Sequence, residues 1–243
     1  MSQDPSRLSD KPIPVDERLI VALDVPDAGA ARELVAALGD AVKFYKIGME
    51  LFMTDGYFAL LDELVAAGKK VFVDLKFFDV PATVGSAIRQ LSTRGATFAT
   101  VHGNQAVMEA AGENKGDLKV LAVTVLTSLD RGDLDDLGFA VDVEKLVLSR
   151  ARRALEAGCD GVVSSGMEAA ALRDELGARL MVVTPGIRPV DNRPVDDQKR
   201  VVTPAQAFRN GADYIVVGRP IRAAADPRAA AESIQAEIAA VFA

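Results

Sequence analysis

The stretch Val71-Phe72-Val73-Asp74-Leu75-Lys76-Phe77-Phe78-Asp79-Val80-Pro81 decides how the chain is organised. Val71 to Val73 reads as a buried strand, because β-branched and aromatic side chains suit a pleated, packed surface. The apolar run then ends in Asp74, Lys76 and Asp79. If the strand continues through Lys76, Asp74 and Lys76 point to the same side. Asp79 falls where the chain must turn, and Pro81 suits the first turn of a following helix. A carboxylate, an ammonium and a second carboxylate therefore crowd the C-terminal end of one strand. A structural ion-pair network would look the same, so the rest of the chain has to decide.

Outward from this stretch, apolar β-rich runs alternate with helical patterns. The predicted strands are Leu19–Leu23, Val42–Ile47, Lys70–Leu75, Thr97–Val101, Lys119–Leu126, Gly161–Ser164, Leu180–Thr184 and Tyr214–Val217. Helical spacing is found between them, at Ala28–Leu38, Tyr57–Ala67, Val84–Arg94, Val143–Ala157, Glu168–Leu176 and Pro204–Asn210, with Asp226–Val241 closing the chain. Gly68, Gly95, Gly158 and Gly211 each sit after a helix and before a strand, where left-handed caps are expected. Eight β-then-α units in 243 residues predict a single-domain (β/α)8 TIM barrel, an α/β fold, over residues 18–243. Residues 1–17 are polar, carry Pro5, Pro12 and Pro14, and read as a loose N-terminal arm. The alternative is a doubly wound open sheet, but no Gly-x-Gly-x-x-Gly follows the first strand, which disfavours its dinucleotide-binding form.

Composition narrows the function. Hydrophobic residues make up 49% and charged residues 26%, as in a soluble globular protein. The net charge of −7 argues against a nucleic-acid surface, although a locally basic site could still take a small anion. No apolar run approaches membrane-spanning length. The single cysteine, Cys159, fits a reducing, cytoplasmic setting and reads as packing.

In such a barrel the C-terminal strand ends carry the active site. Here they offer Asp24, Lys46, Asp74 and Lys76 with Asp79 beyond, His102, Thr127-Ser128, Thr184-Pro185-Gly186-Ile187-Arg188 and Val217-Gly218-Arg219. Gly186 and Gly218 let backbone N–H groups approach an anion, and Arg188 and Arg219 add charge, at the loops where barrels often bind phosphate. Ile187 to Val202 is long for a βα loop and reads as a lid, with Gln198 as a ligand contact. Among Lys46, Asp74, Lys76 and Asp79, alternating charge keeps each lysine protonated. A protonated lysine can deliver a proton to carbon, and a carboxylate opposes a substrate carboxylate until that group leaves. The array suits decarboxylation without a cofactor. Its rival is Mg2+ binding by Asp74 and Asp79. His102, the only histidine, reads equally as a structural residue, and Ser164-Ser165-Gly166 as a helix cap.

Leu23-Asp24, Lys46-Ile47-Gly48, Asp-x-Lys-x-x-Asp-x-Pro-x-Thr from Asp74 to Thr83, Leu126-Thr127-Ser128, Thr184 to Arg188 and Val217-Gly218-Arg219 occur here in order. In this set the chain resembles the orotidine 5′-phosphate decarboxylase family, over nearly its whole length after the arm. The resemblance implies a cytoplasmic carboxy-lyase of pyrimidine biosynthesis that makes UMP without a metal or organic cofactor. It implies that Asp24 and Lys46 hold the ribose hydroxyls, Asp74 faces the substrate carboxylate, and Lys76 protonates C6. It further implies that Asp79 and Thr83 reach a partner's site in a homodimer, Thr127 touches the pyrimidine edge, and Gln198, Gly218 and Arg219 bind phosphate with Arg188 nearby. Phe78 and Ala82 stand where bacterial members commonly carry His and Asn. Asp-x-Lys-x-x-Asp is shared with a sister group of sugar-phosphate decarboxylases and aldolases, and a Mg2+-dependent enzyme of that group is the runner-up. A phosphate-binding barrel without turnover is a third reading, disfavoured by the intact charged cluster.

Overall fold

The computed structural model describes residues 7–189 and 201–243. Eight parallel strands pair each with the next, and β1 (Leu19–Ala22) pairs with β8 (Tyr214–Val217) to close the barrel. Between them in order lie β2 (Phe44–Gly48), β3 (Lys70–Phe77), β4 (Phe98–His102), β5 (Lys119–Val123), β6 (Gly161–Val163) and β7 (Met181–Thr184). The helices are α1 (Ala28–Leu38), α2 (Met49–Phe52), α3 (Tyr57–Ala66), α4 (Pro81–Ser92), α5 (Gln105–Asn114), α6 (Arg131–Asp136) and α7 (Val143–Glu156). They continue as α8 (Ala169–Leu176), α9 (Pro204–Arg209), α10 (Arg219–Arg222) and α11 (Pro227–Phe242).

The two-residue period of each strand divides the core into two shells. Leu19 and Val21 pack outward against the helices, while Ile20 and Ala22 belong to the inner cluster with Phe44, Phe72, Phe98, Leu121, Val183, Tyr214 and Val216. Phe44, Phe98 and Tyr214 meet with ring centroids 5.0 to 5.8 Å apart, so aromatic side chains fill the barrel below the mouth. The helices start where the sequence supplies caps: Asp27, Asp142, Thr203 and Asp226 each accept a backbone N–H of the following turn. Gly68, Gly95, Gly158 and Gly211 take φ of 69°, 75°, 79° and 101°, the left-handed values their positions predict.

The differences from the sequence reading lie at element ends and in the helices α2, α5, α6 and α10, which it did not name. β3 runs two residues past Leu75, and α4 begins at Pro81 rather than Val84, as a proline at the first helical position allows. β5 stops at Val123, opposite the end of the three-residue β6, so Thr124 to Leu126 leave the sheet instead of extending it.

The opposite, N-terminal face is tied by one buried carboxylate. Asp213 has no exposed surface and accepts from Lys11 Nζ at 3.0 Å and from the Val182 N–H at 2.8 Å, with further bonds from Ser9 and Arg173. The nearly buried Arg18 donates to the Asp213 carbonyl and lies 4.0 Å over the Phe242 ring. The described part of the arm thereby crosses the barrel floor.

Candidate active site

The C-terminal mouth opens on a cavity of about 320 Å³. β1 to β3 contribute Asp24, Lys46, Asp74 and Lys76, the β5 end contributes Thr127 and Ser128, and the β7 and β8 ends contribute Gly186, Arg188, Gly218 and Arg219. Asp24, Lys46, Asp74, Lys76, Thr127, Ser128, Gly186, Arg188, Gly218 and Arg219, all singled out from the sequence, thus line a single cavity.

Their charged members form a chain. Lys46 Nζ lies 2.8 Å from Asp24 Oδ1 and 3.6 Å from Asp74 Oδ2, and Lys76 Nζ lies 2.9 Å from Asp74 Oδ1. The order is Asp24–Lys46–Asp74–Lys76, so within one chain the fourth member is Asp24 and not Asp79. Burial alone would push the Asp74 carboxyl up. Lys46 and Lys76 outweigh it, helped by hydrogen bonds from Lys76 and Thr100, and hold it below the usual carboxylate value. Burial likewise pulls the Lys46 ammonium down, but Asp74 and Asp24 more than offset this and hold it up. Asp74 therefore stays an anion and Lys46 a cation at neutral pH.

A backbone irregularity sets this geometry. Val73 pairs with Ala99 and Phe77 with Val101, so Asp74, Leu75 and Lys76 bulge opposite the single residue Thr100. Lys76 takes φ 50°, the one positive φ outside glycine among the described residues, a strained value of the kind that collects at functional sites. The Lys76 N–H donates to Thr100 Oγ1 at 2.9 Å, and that hydroxyl donates to Asp74 Oδ1 at 2.9 Å. Asp74 and Lys76 do meet, but through a bulge rather than by simple strand alternation. Sequence reasoning missed Thr100, because a threonine in an apolar strand is an ordinary β-former. It also missed Arg222, which lines the cavity three residues beyond Arg219, a helical spacing that carried the signal.

Asp79 and Thr83 are exposed and lie outside the cavity, and Asp79 Oδ1 accepts the Val80 N–H at 2.6 Å. Phe78 and Val80 flank Asp79 and are 61% and 62% exposed, an apolar pair presented to solvent. The Phe78 ring stacks 4.5 Å from His102, whose Nδ1 meets Asn104 Oδ1 at 3.0 Å, so His102 sits at the rim and not in the cavity. Ser165 is buried and accepts the Met167 N–H at 3.3 Å, in a turn before α8. Cys159 is buried and its thiol is pushed up to about 12 by burial, as befits packing. Gln198 and most of the expected lid lie outside the described residues. Ile187 and Val202, its two ends, pair as a parallel bridge.

Among the described residues no helix is long and apolar enough to cross a membrane, and no group of three His, Cys, Asp or Glu side chains could hold a metal ion.

The family model described as orotidine 5′-phosphate decarboxylase / HUMPS family matches residues 17–234. An orotidine 5′-phosphate decarboxylase of Methylococcus capsulatus is 70% identical over 239 residues, covering 98% of this chain and 99% of that protein. One from Stenotrophomonas maltophilia is 54% identical over 241 residues, covering 97% and 99%. The crystal structure of the Lactobacillus acidophilus enzyme of the same name superposes with a TM-score of 0.81 at 36% identity, over 91% of this chain and 99% of that one.

Proposed function

The chain belongs to the orotidine 5′-phosphate decarboxylase / HUMPS family, and from that premise we propose that its barrel mouth converts orotidine 5′-phosphate into UMP and carbon dioxide. The observation that carries the reading is the partly buried Asp74 held at 2.9 Å from Lys76. A substrate carboxylate placed beside Asp74 is repelled, and the repulsion ends when that group departs as neutral CO2. The C6–carboxylate bond breaks with its electron pair left on C6. Lys76 Nζ delivers a proton to C6, and the resulting amine regains one from solvent.

The remaining residues bind and orient. Asp24 and Lys46 take the ribose hydroxyls, Thr127 the pyrimidine edge, and Gly218 and Arg219 the phosphate, with Arg188 beside them and Gln198, outside the described residues, as a further phosphate ligand. Asp79 and Thr83 serve the site of a second copy in a homodimer. Their position outside their own cavity and the exposed Phe78 and Val80 beside them support this. A cytoplasmic location belongs to the same reading.

The Mg2+-dependent sugar-phosphate alternative fits less well. The Asp74 oxygens already face Lys46, Lys76 and Thr100, and Asp79 points elsewhere, so a divalent ion would have to displace two ammonium groups. The test is a spectrophotometric assay with orotidine 5′-phosphate, with and without EDTA. Loss of the substrate spectrum unaffected by EDTA is expected. No turnover, or turnover only with added Mg2+, would overturn the proposal.

A further inference from the structure

The cavity holds one more guanidinium than the proposed mechanism uses. Arg222 ends the short helix α10 and donates its backbone N–H to the Gly218 carbonyl at 3.0 Å, which folds the turn back over the β8 end. Its side chain lines the same cavity as Arg188 and Arg219. Its Nε is buried and has no hydrogen-bond partner among the described residues. A buried N–H without an acceptor is costly, and one that lines an anion-sized cavity is satisfied when an acceptor arrives there.

Charge in the cavity is segregated. Asp24 and Asp74 sit with Lys46 and Lys76 on the β1–β3 wall. Among the described residues, the β7 and β8 ends themselves contribute Arg188, Arg219 and Arg222 and no carboxylate, with Asp24 Oδ2 at their border, 3.7 Å from where a Gly218 Cβ would stand. Three guanidinium groups gathered at one end of the cavity make it locally basic, and the planar guanidinium fork suits phosphate oxygens. Gly218, beside them, leaves the backbone open: a Cβ there would meet nothing closer than Ala22 Cβ at 3.5 Å.

We propose that Arg222 is a specificity-determining residue of this site, donating to the phosphate dianion of the nucleotide alongside Arg219. The inference rests on the proposed decarboxylase function and adds a residue outside the motifs that carry the family resemblance. Arg222 sets preference for the phosphorylated ligand over its nucleoside and leaves the chemistry at C6 to the lysine–aspartate array.

The test measures UMP and inorganic phosphate by calorimetry, and uridine by competition, on the wild type, Arg222→Met and Arg222→Lys. Arg222→Met weakens UMP by about tenfold, the scale of one charge-assisted contact, while uridine is unchanged within about twofold. Arg222→Lys, which keeps the charge without the fork, falls between. Unchanged UMP binding, or equal losses on UMP and uridine, overturns the assignment. Should Arg222→Met fail to fold by circular dichroism, Arg222→Gln is read against the same outcomes. If the wild type does not decarboxylate orotidine 5′-phosphate, the proposed function fails on its own. Inorganic phosphate then decides for Arg222: weaker binding in the variant supports the role, and equal binding removes it.

Discussion

Thr100 and Lys76 are joined across the bulge of β3: the Lys76 N–H donates to the Thr100 hydroxyl at 2.9 Å, where three residues of one strand oppose one of the next. The same hydroxyl donates its own hydrogen bond to Asp74 Oδ1. One side chain thus satisfies a strained backbone and orients the carboxylate beside the acid. Thr100→Val keeps the shape and removes both bonds. Because hydrogen bonds to charged groups contribute about 1.5–3 kcal/mol, kcat should fall roughly tenfold to a hundredfold. Thr100→Ser should restore most of it. A Val variant with wild-type kcat would show that the bulge holds itself.

Lys76→Ala removes the proposed proton donor. General acids typically contribute about 10²- to 10⁴-fold, and turnover should drop by at least that scale while UMP still binds. Steady-state kinetics and calorimetry on one preparation separate the two effects. Turnover within about tenfold of wild type would be too small a loss for the acid.

Gly48 sits under the charged chain. A Cβ there would lie 3.0 Å from Lys46 Nζ and 3.5 Å from Asp24 Oδ1, although its φ of −113° suits any residue. The demand is for space, not for an unusual backbone. Gly48→Ala should displace Lys46 by a few tenths of an ångström and reduce kcat/KM by about tenfold. The melting temperature should move by no more than about 4 °C. A large fall in melting temperature with intact kcat/KM would instead make Gly48 a packing residue.

The depressed Asp74 carboxyl makes a signed prediction about pH. Such a group contributes stability above its unfolded value of about 3.9, and the contribution is lost as pH falls through the lower folded value. The unfolding free energy of wild type minus that of Asp74→Asn should therefore shrink as pH is lowered from about 7 to below 4. Lys46 is shifted the other way, so its contribution is complete below about 10.4 and fades only at higher pH. Urea titrations of both proteins at each pH give the difference. A gap that stays constant through the acid range would contradict the shift in Asp74.

Sharing of the site between subunits has its own test. Lys76→Ala and Asp79→Ala are each expected to be inactive. After subunit exchange, a mixed dimer would carry both defects in one site and neither in the other, and activity should return. If mass spectrometry shows exchange and the mixture stays inactive, Asp79 serves its own barrel.

What was legible in the sequence was what depends on short-range pattern. Tyr214–Val217 and Ala28–Leu38 come out with their observed bounds because an apolar run and a capped amphipathic helix end on unambiguous residues. The cavity residues were legible because a parallel barrel sends every strand end to one face. Asp79 shows where proximity in sequence misleads: it is five residues from Asp74, yet the turn before α4 carries it out of the cavity. Asp24 took its place beside Lys46, across the β1–β2 pairing, which no local pattern announces. Thr100 was hidden because its role arises only from a register shift between two strands. The helix α5 was missed because its segment carries Gly112 and ends on Asn114, both weak helix formers.

The floor of the barrel also sets a schedule for synthesis. Leu19 pairs with Ile215, and Ser9 and Lys11 bind Asp213, so the segment from Ser9 to Leu19 finds these partners only after roughly two hundred more residues have been made. At about 5–20 residues per second, that is a wait of roughly ten to forty seconds. Throughout it, one edge of β1 has no strand beside it, and the basic groups of the arm lack the aspartate that will bury them. The seam thus closes late, with only α10 and α11 still to follow, and the wait for it is the interval in which a nascent chain is most open to a chaperone or to another nascent chain.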